Sequence, residues 1–225
     1  MNVDKTKSRR LFRITLAVYL LAVLGFVIYY AYTQYQAYLA KTNLQNLATL
    51  MTTVAETTQP TTDKSESDNA QLTDPSEPYE GKSILPQFAT LFQINPDFYA
   101  WLKIEGTQLD YPVMYTPADG DYYLYRDFQK KDSKYGLPFI DYHASVIPRS
   151  TNLLIHGHNM KDGSMFATLA KYQSRAFFDE HPIVEFDTLY ETGDYEIFAA
   201  FLTEIFPDNG EDFLYYQFIN ADTEA

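Results

Sequence analysis

Cysteine is missing from this sequence altogether. Its absence excludes disulfides, thiolate metal sites, a lipobox and a cysteine nucleophile from these 225 residues. Positive charge is scarce as well, with 17 Lys and Arg against 30 Asp and Glu. Five of those cations (Lys5, Lys7, Arg9, Arg10 and Arg13) fall within the first 13 positions, which leaves 12 basic against 29 acidic residues from Ile14 onward, a net of -17. A body so acidic repels a phosphate backbone, which argues against a nucleic-acid partner. There is no internal repeat, and no Gly-x-Ser-x-Gly stretch that would make a serine nucleophile elbow. What the chain does have is aromatic and apolar residues, in the amount that one globular domain with appendages needs to fill a core.

The apolar residues are concentrated first at the N-terminus. Ile14 to Ala40 carries no charge, and Ile14 to Tyr32 is almost wholly apolar or aromatic, long enough to cross a bilayer as a helix. Basic residues precede this run, and Tyr29, Tyr30, Tyr32, Tyr35 and Tyr38 lie at its far end. That is the positive-inside pattern with an aromatic interface. A cleaved signal peptide would have a shorter apolar core followed by an Ala-x-Ala site, and none follows here. The expected order is therefore a cytoplasmic basic segment at 1–10 and a single membrane helix at 11–32 within the lipid bilayer. Beyond these come a helical extension and stalk at 33–83 and an extracellular domain at 84–225.

In the extension, Leu44, Leu47, Leu50, Met51 and Val54 recur at helical spacing, for self-association or simply as a continued helix. Glu56 to Gly81 is dominated by Thr, Ser, Asp, Glu and Pro and reads as a flexible stalk. The globular pattern opens with Leu85, Phe88, Leu91 and Phe92 on one helical face, ended by Asn95-Pro96. Short strand-like runs follow at Tyr99 to Ile104, Leu109 to Tyr115, Leu137 to Asp141, Asn152 to His156, Ile183 to Phe186 and Tyr195 to Phe201. Two helical inserts, Ser164 to Tyr172 and Ser174 to Glu180, each begin at a serine able to cap them. The fold class expected is mostly β: a mixed, largely antiparallel sheet closing toward a barrel, with a few helices at its rim. At the other end, Asn220 with Asp222, Thr223 and Glu224 reads as the capped first turn of a helix, so the domain is expected to be cut within an element.

The densest polar cluster is His156 to Gly163, directly after the apolar run Asn152 to Ile155. A strand ending in glycine presents its last side chains at a sheet rim, where reactive groups are both fixed and reachable. Asp141 and His143, at the end of another run, are within reach in a sheet. Three readings stand. His156 and His158 on one strand face, with Asp141 or His143, would suit a divalent metal and a metal-dependent hydrolase. Alternatively, His156 fills the sheet and His158 bonds a nearby carbonyl.

The third reading rests on a resemblance. Asn95-Pro96-Asp97, Trp101-Leu102-Lys103-Ile104, Gly106-Thr107, Leu109-Asp110-Tyr111-Pro112-Val113 and Asp121-Tyr122-Tyr123-Leu124 resemble the opening of a class B sortase. Gly136 with Phe139-Ile140-Asp141, Asn152 to Ile155, Gly157 to Gly163 with Met165-Phe166, and His181-Pro182 with Phe186 and Tyr195 to Phe201 continue in the same order. The resemblance implies a mixed β-barrel and a membrane-bound cysteine transpeptidase of Gram-positive bacteria, without cofactor or metal. Its partners would be a secreted protein carrying a C-terminal sorting signal and, as acceptor, the amine of a peptidoglycan precursor or a pilin lysine. The histidine carried over is His158, with His156 packing or shaping the pocket. The family's nucleophilic Cys and oxyanion Arg lie on closing strands. Here no Cys exists and no Arg follows Arg175, so the chain is expected to be C-terminally truncated and inactive as it stands. The alternative is a non-enzymatic, membrane-tethered module that binds peptides in a sortase-like groove.

The topology is testable directly. Protease shaving of intact cells should release the domain by cutting between Glu56 and Gly81, and a domain protected until lysis would reverse the assigned orientation.

Overall fold

The computed structural model describes residues 3–57, 83–202 and 218–219. The chain divides into two compact units after Asn43. In the first unit runs most of α1 (Val3–Thr57), an uninterrupted helix of 55 residues. No proline occurs before Pro60, so nothing in this stretch removes a helical N–H. Its side chains from Leu11 to Tyr32 are exposed, and its most apolar window has a mean hydropathy of 2.4 with none of it buried. α1 is thus long and apolar enough to cross a membrane. It ends two residues inside the expected stalk, whose remainder lies outside the described residues, as does the helix start expected at Asn220.

The second unit starts at Leu44, where α1 continues; Leu47 is buried, Leu44 and Met51 are half-buried, and Leu50 is exposed. Among the described residues its body is a six-stranded mixed sheet. The strands are β1 (Phe98–Lys103), β2 (Asp110–Met114), β3 (Phe139–Ile140), β4 (Ile155–His156), β5 (Ile183–Thr188) and β6 (Asp194–Glu196). Their spatial order is β4-β3-β2-β1-β5-β6. All pairs are antiparallel except β2 with β3, where Met114 faces Phe139. Among the described residues the sheet stays open between β4 and β6, a half-barrel of the expected mixed type.

Central β1 is buried along Phe98 to Leu102, as a strand covered on both faces must be. On it packs α2 (Pro86–Ile94), which begins with proline at its first turn, where the missing N–H costs nothing. Phe88 meets Phe98 edge-to-face at 5.4 Å, and Phe98 meets Phe128 at 6.0 Å. α2 ends where Asn95 turns extended ahead of Pro96.

The two later helical inserts form, but not with serine caps. Residues Phe166–Gln173 make a 3-10 helix whose capping position is Met165, at φ +55°, not Ser164; the Ser164 hydroxyl donates to Asp162 at 2.6 Å. Ser174 precedes α3 (Arg175–Glu180), but its side chain makes no capping hydrogen bond. The runs Asn152 to His156 and Tyr195 to Phe201 shorten to β4 and β6. Ahead of β4, the Asn152 N–H donates to the Ile219 carbonyl at 3.0 Å instead of extending the β3 ladder.

Behind the sheet lies a buried polar knot. Asn95, 1% exposed, donates from Nδ2 to the Tyr123 hydroxyl at 2.7 Å and to the Phe128 carbonyl at 2.9 Å. Its Oδ1 accepts the Asp97 N–H at 3.0 Å. The Tyr123 hydroxyl in turn donates to Asp97 Oδ2 at 2.7 Å, which Lys130 also meets at 2.8 Å. Burial first, and then the Asp97 carboxylate, push the Tyr123 phenol well above its ordinary range, so it remains a donor.

Removing that hydroxyl strands a buried amide N–H. Tyr123→Phe should therefore cost about 1–3 kcal/mol, read by urea unfolding of the full chain in detergent micelles. The signal is the single tryptophan, Trp101, which is 3% exposed in β1. A loss below a few tenths of a kcal/mol would show that water replaces the hydroxyl freely.

Candidate functional site

The expected cluster lies at the end of β4, whose ladder pairs are Phe139 with His156 and Ile140 with Ile155. A single residue, Gly157, separates His156 from His158. Gly157 is required between them, since a Cβ there would lie 2.7 Å from the Phe166 ring. The His158 carbonyl accepts the Phe166 N–H at 2.8 Å, and Asn159 bridges Met165, which closes 159–165 into a tight loop. The Met165 N–H donates to the Tyr111 hydroxyl at 3.0 Å, tying the loop to β2. Asp162 accepts the Ser164 N–H at 3.1 Å and the phenol of Tyr135, whose pKa is pushed up to about 12 by burial and by that carboxylate. The loop is thus anchored to two other parts of the domain, at Tyr111 and at Tyr135.

The half-buried His158 imidazole places Nε2 2.7 Å from the Leu124 carbonyl. The Tyr125 ring lies over it at 5.3 Å between centroids, tilted by 44°. A carbonyl only accepts, so Nε2 carries the hydrogen, and Nδ1 is the nitrogen left to take or give a proton. Both contacts come from one 3-10 turn, Tyr122–Tyr125. Gly136, at φ +57°, lets that turn lie where it does: a Cβ there would be 2.7 Å from the Tyr123 carbonyl and closer still to that of Leu124.

His156 faces a different partner. Its Nε2 meets Asp141 Oδ2 at 2.7 Å, and its ring lies 5.2 Å from Phe139. The other oxygen of Asp141 accepts the backbone N–H and meets the ring Nδ1 of His143, both at 2.8 Å. The sequence thus put Asp141 and His143 in the right neighbourhood, and the structure joins them to His156 but not to His158. The two rings of the His-x-His pair do not converge, and among the described residues no group of three His, Asp or Glu side chains is placed to hold a metal ion. The carbonyl bond expected for His158 in the plainer reading is the one found. What sequence reasoning missed is the partner turn: Tyr122 to Leu124 drew notice only through resemblance, and a main-chain acceptor leaves no signature in residue type.

Asp141 is 8% exposed. Burial works to raise its pKa, but the hydrogen bonds from His156, the His143 N–H and the His143 ring outweigh it, and its carboxyl lies below the ordinary 3.8. A carboxylate depressed in the folded state contributes stability that is present above its unfolded pKa and lost as pH falls through the native value. Asp141→Asn should therefore lower stability by about 1.5–3 kcal/mol at pH 7. The gap to the parent should shrink as the pH falls below 3.8. Paired urea titrations across pH 7 to 3 measure it, and a gap that does not change with pH would mean that charge plays no part.

No family model matches the chain. Over 120 residues, 53% of this chain and 49% of the relative, it is 34% identical to a sortase B of Staphylococcus aureus. Over 113 residues, 50% of this chain and 46% of the relative, it is 38% identical to a sortase B of Listeria monocytogenes. The chain thus spans about half the length of the curated relatives it matches. Among solved structures, sortase B of Bacillus anthracis in complex with AAEK1 superposes with a TM-score of 0.57 at 27% identity, covering 84% of this chain and 85% of that one. A sortase B complexed with triglycine gives 0.56 at 26% identity, over 71% of this chain and 64% of that one. The Staphylococcus aureus sortase B-substrate complex shares the fold, with a TM-score of 0.58 at 24% identity over 73% and 65%. The mixed half-barrel and the sequence identity point the same way: the chain shares the sortase B fold and, over about half of their length, is similar in sequence to curated sortase B proteins.

Proposed function

We propose that this chain carries the histidine-bearing part of a membrane-anchored transpeptidase of sortase B type. Its reaction cleaves a C-terminal sorting signal in a secreted protein and joins the new carboxyl end to an amine. Residues 11–32 anchor it in the membrane with the domain outside. The observation that carries the reading is His158 itself: a half-buried imidazole at the end of a strand, with Nε2 held by the Leu124 carbonyl and Nδ1 left for proton exchange. Amide cleavage with transfer needs a proton given to the leaving amine and later taken from the incoming one, and imidazole does both near neutral pH. That relatives have been captured with a substrate and with triglycine supports a peptide donor and an amine acceptor.

Storing the acyl group requires a nucleophile, in this family a thiol, and stabilising the oxyanion requires a positive donor. Neither a Cys nor an Arg beyond Arg175 is present in the 225 residues, so on this reading these residues alone form no acyl-enzyme. The same absence favours a second reading, a membrane-tethered module that binds peptides without turning them over.

A chimera separates the two. The 225 residues, extended by a C-terminal segment that supplies the Cys and Arg strands the class B sortase resemblance implies, are assayed with a sorting peptide and an amine acceptor. Turnover is expected in the chimera and not in the chain alone, and His158→Ala should reduce it by about a thousandfold or more. Turnover by the chain alone, or turnover indifferent to His158, would overturn the mechanism. A folded chimera that binds the peptide without cleaving it would establish the binding module.

A further inference from the structure

The turn that holds His158 is too short to support itself. A four-residue 3-10 segment has poor hydrogen-bond geometry and little cooperativity; at its start the Leu124 N–H donates to the Asp121 carbonyl at 3.0 Å. It is held from behind instead. Tyr123, fully buried, has its hydroxyl between Asn95 and Asp97 at 2.7 Å each, and its carbonyl accepts the Leu137 N–H at 3.0 Å. Asn95 is itself fixed by the Phe128 carbonyl and the Asp97 N–H, and Asp97 by Lys130. Tyr123 and Leu124 are adjacent along the chain, so releasing the first frees the carbonyl of the second to swing. That carbonyl decides which imidazole nitrogen bears the hydrogen.

We propose that Tyr123, Asn95 and Asp97 are positioning residues for His158: they hold the Leu124 carbonyl where it fixes the ring as the Nε2–H tautomer and reserves Nδ1 for proton exchange. This rests on the transpeptidase role of His158. None of the three residues touches the imidazole. They act through one peptide group.

The test reads the tautomer directly. The full chain, labelled with 13C and 15N at its four histidines, is studied by NMR in detergent micelles at alkaline pH, where imidazole is neutral. His158→Ala identifies the resonance. In the parent, His158 should show the Nε2–H signature alone. Tyr123→Phe should turn it into a mixture of both tautomers, while the signals of His143, His156 and His181 hold their positions. A parent that already shows a mixture, a folded Tyr123→Phe in which His158 stays purely Nε2–H, or a shift of all four histidines together would each overturn the proposal. The last would mean general loosening of the domain. Should Tyr123→Phe not fold, Asp97→Ala on the partly exposed side of the knot is read against the same outcomes. No turnover is needed, so a negative result here leaves the transpeptidase reading to the chimera.

Discussion

The hydroxyl of Tyr123 is buried where three stretches of chain must agree: the end of α2, the turn at 122–125 and the loop around Phe128 to Lys130. Buried polar groups are tolerated only when each is satisfied, so this one hydroxyl forces Asn95 and Asp97 into place, and with them the angle at which β1 leaves α2. The apolar core sets how much surface is hidden, and Phe88, Phe98 and Phe128 do most of that work locally. Polar knots of this kind define a unique structure because a partly satisfied version costs more than none.

A second hub, Asp141, acts at the thin edge of the sheet. The β3–β4 ladder has only two residue pairs, too few to hold a strand that carries the functional loop. Asp141 adds a charged acceptor between His143 and His156, one from beyond β3 and one from β4 itself. Hydrogen bonds to an ionised group are about twice as strong as neutral ones. The edge thus depends on electrostatics where the centre depends on burial.

Much of the architecture was legible in the sequence, for identifiable reasons. β1, β2 and β5 are rich in aromatic and β-branched residues and lie inside the sheet, so propensity and burial point the same way. α2 announced itself through four apolar residues on one face and the Asn95-Pro96 stop. The edges were over-read: Phe198 and Phe201 belong to a strand by composition, yet they are 98% and 70% exposed beyond the end of β6. Serine caps were over-read as well: the first insert starts one residue later, with Met165 at the capping position, and the Ser174 side chain makes no capping bond. At the site, His158, His156, Asp141 and His143 were all named, but their partition into two separate hydrogen-bonded groups was not. That partition depends on Gly157 and on a turn more than thirty residues away, which no local pattern encodes.

The partner of His158 is a backbone atom, and this moves the site's vulnerability to substitution elsewhere. Every residue type supplies a carbonyl, so changing the side chain at position 124 leaves the acceptor in existence. The position that cannot vary is Gly136, twelve residues on, where any Cβ would drive against that same peptide group. In a set of related chains, the imprint of the His158 contact would therefore fall on a glycine that never touches the imidazole, while the residue that makes the contact drifts.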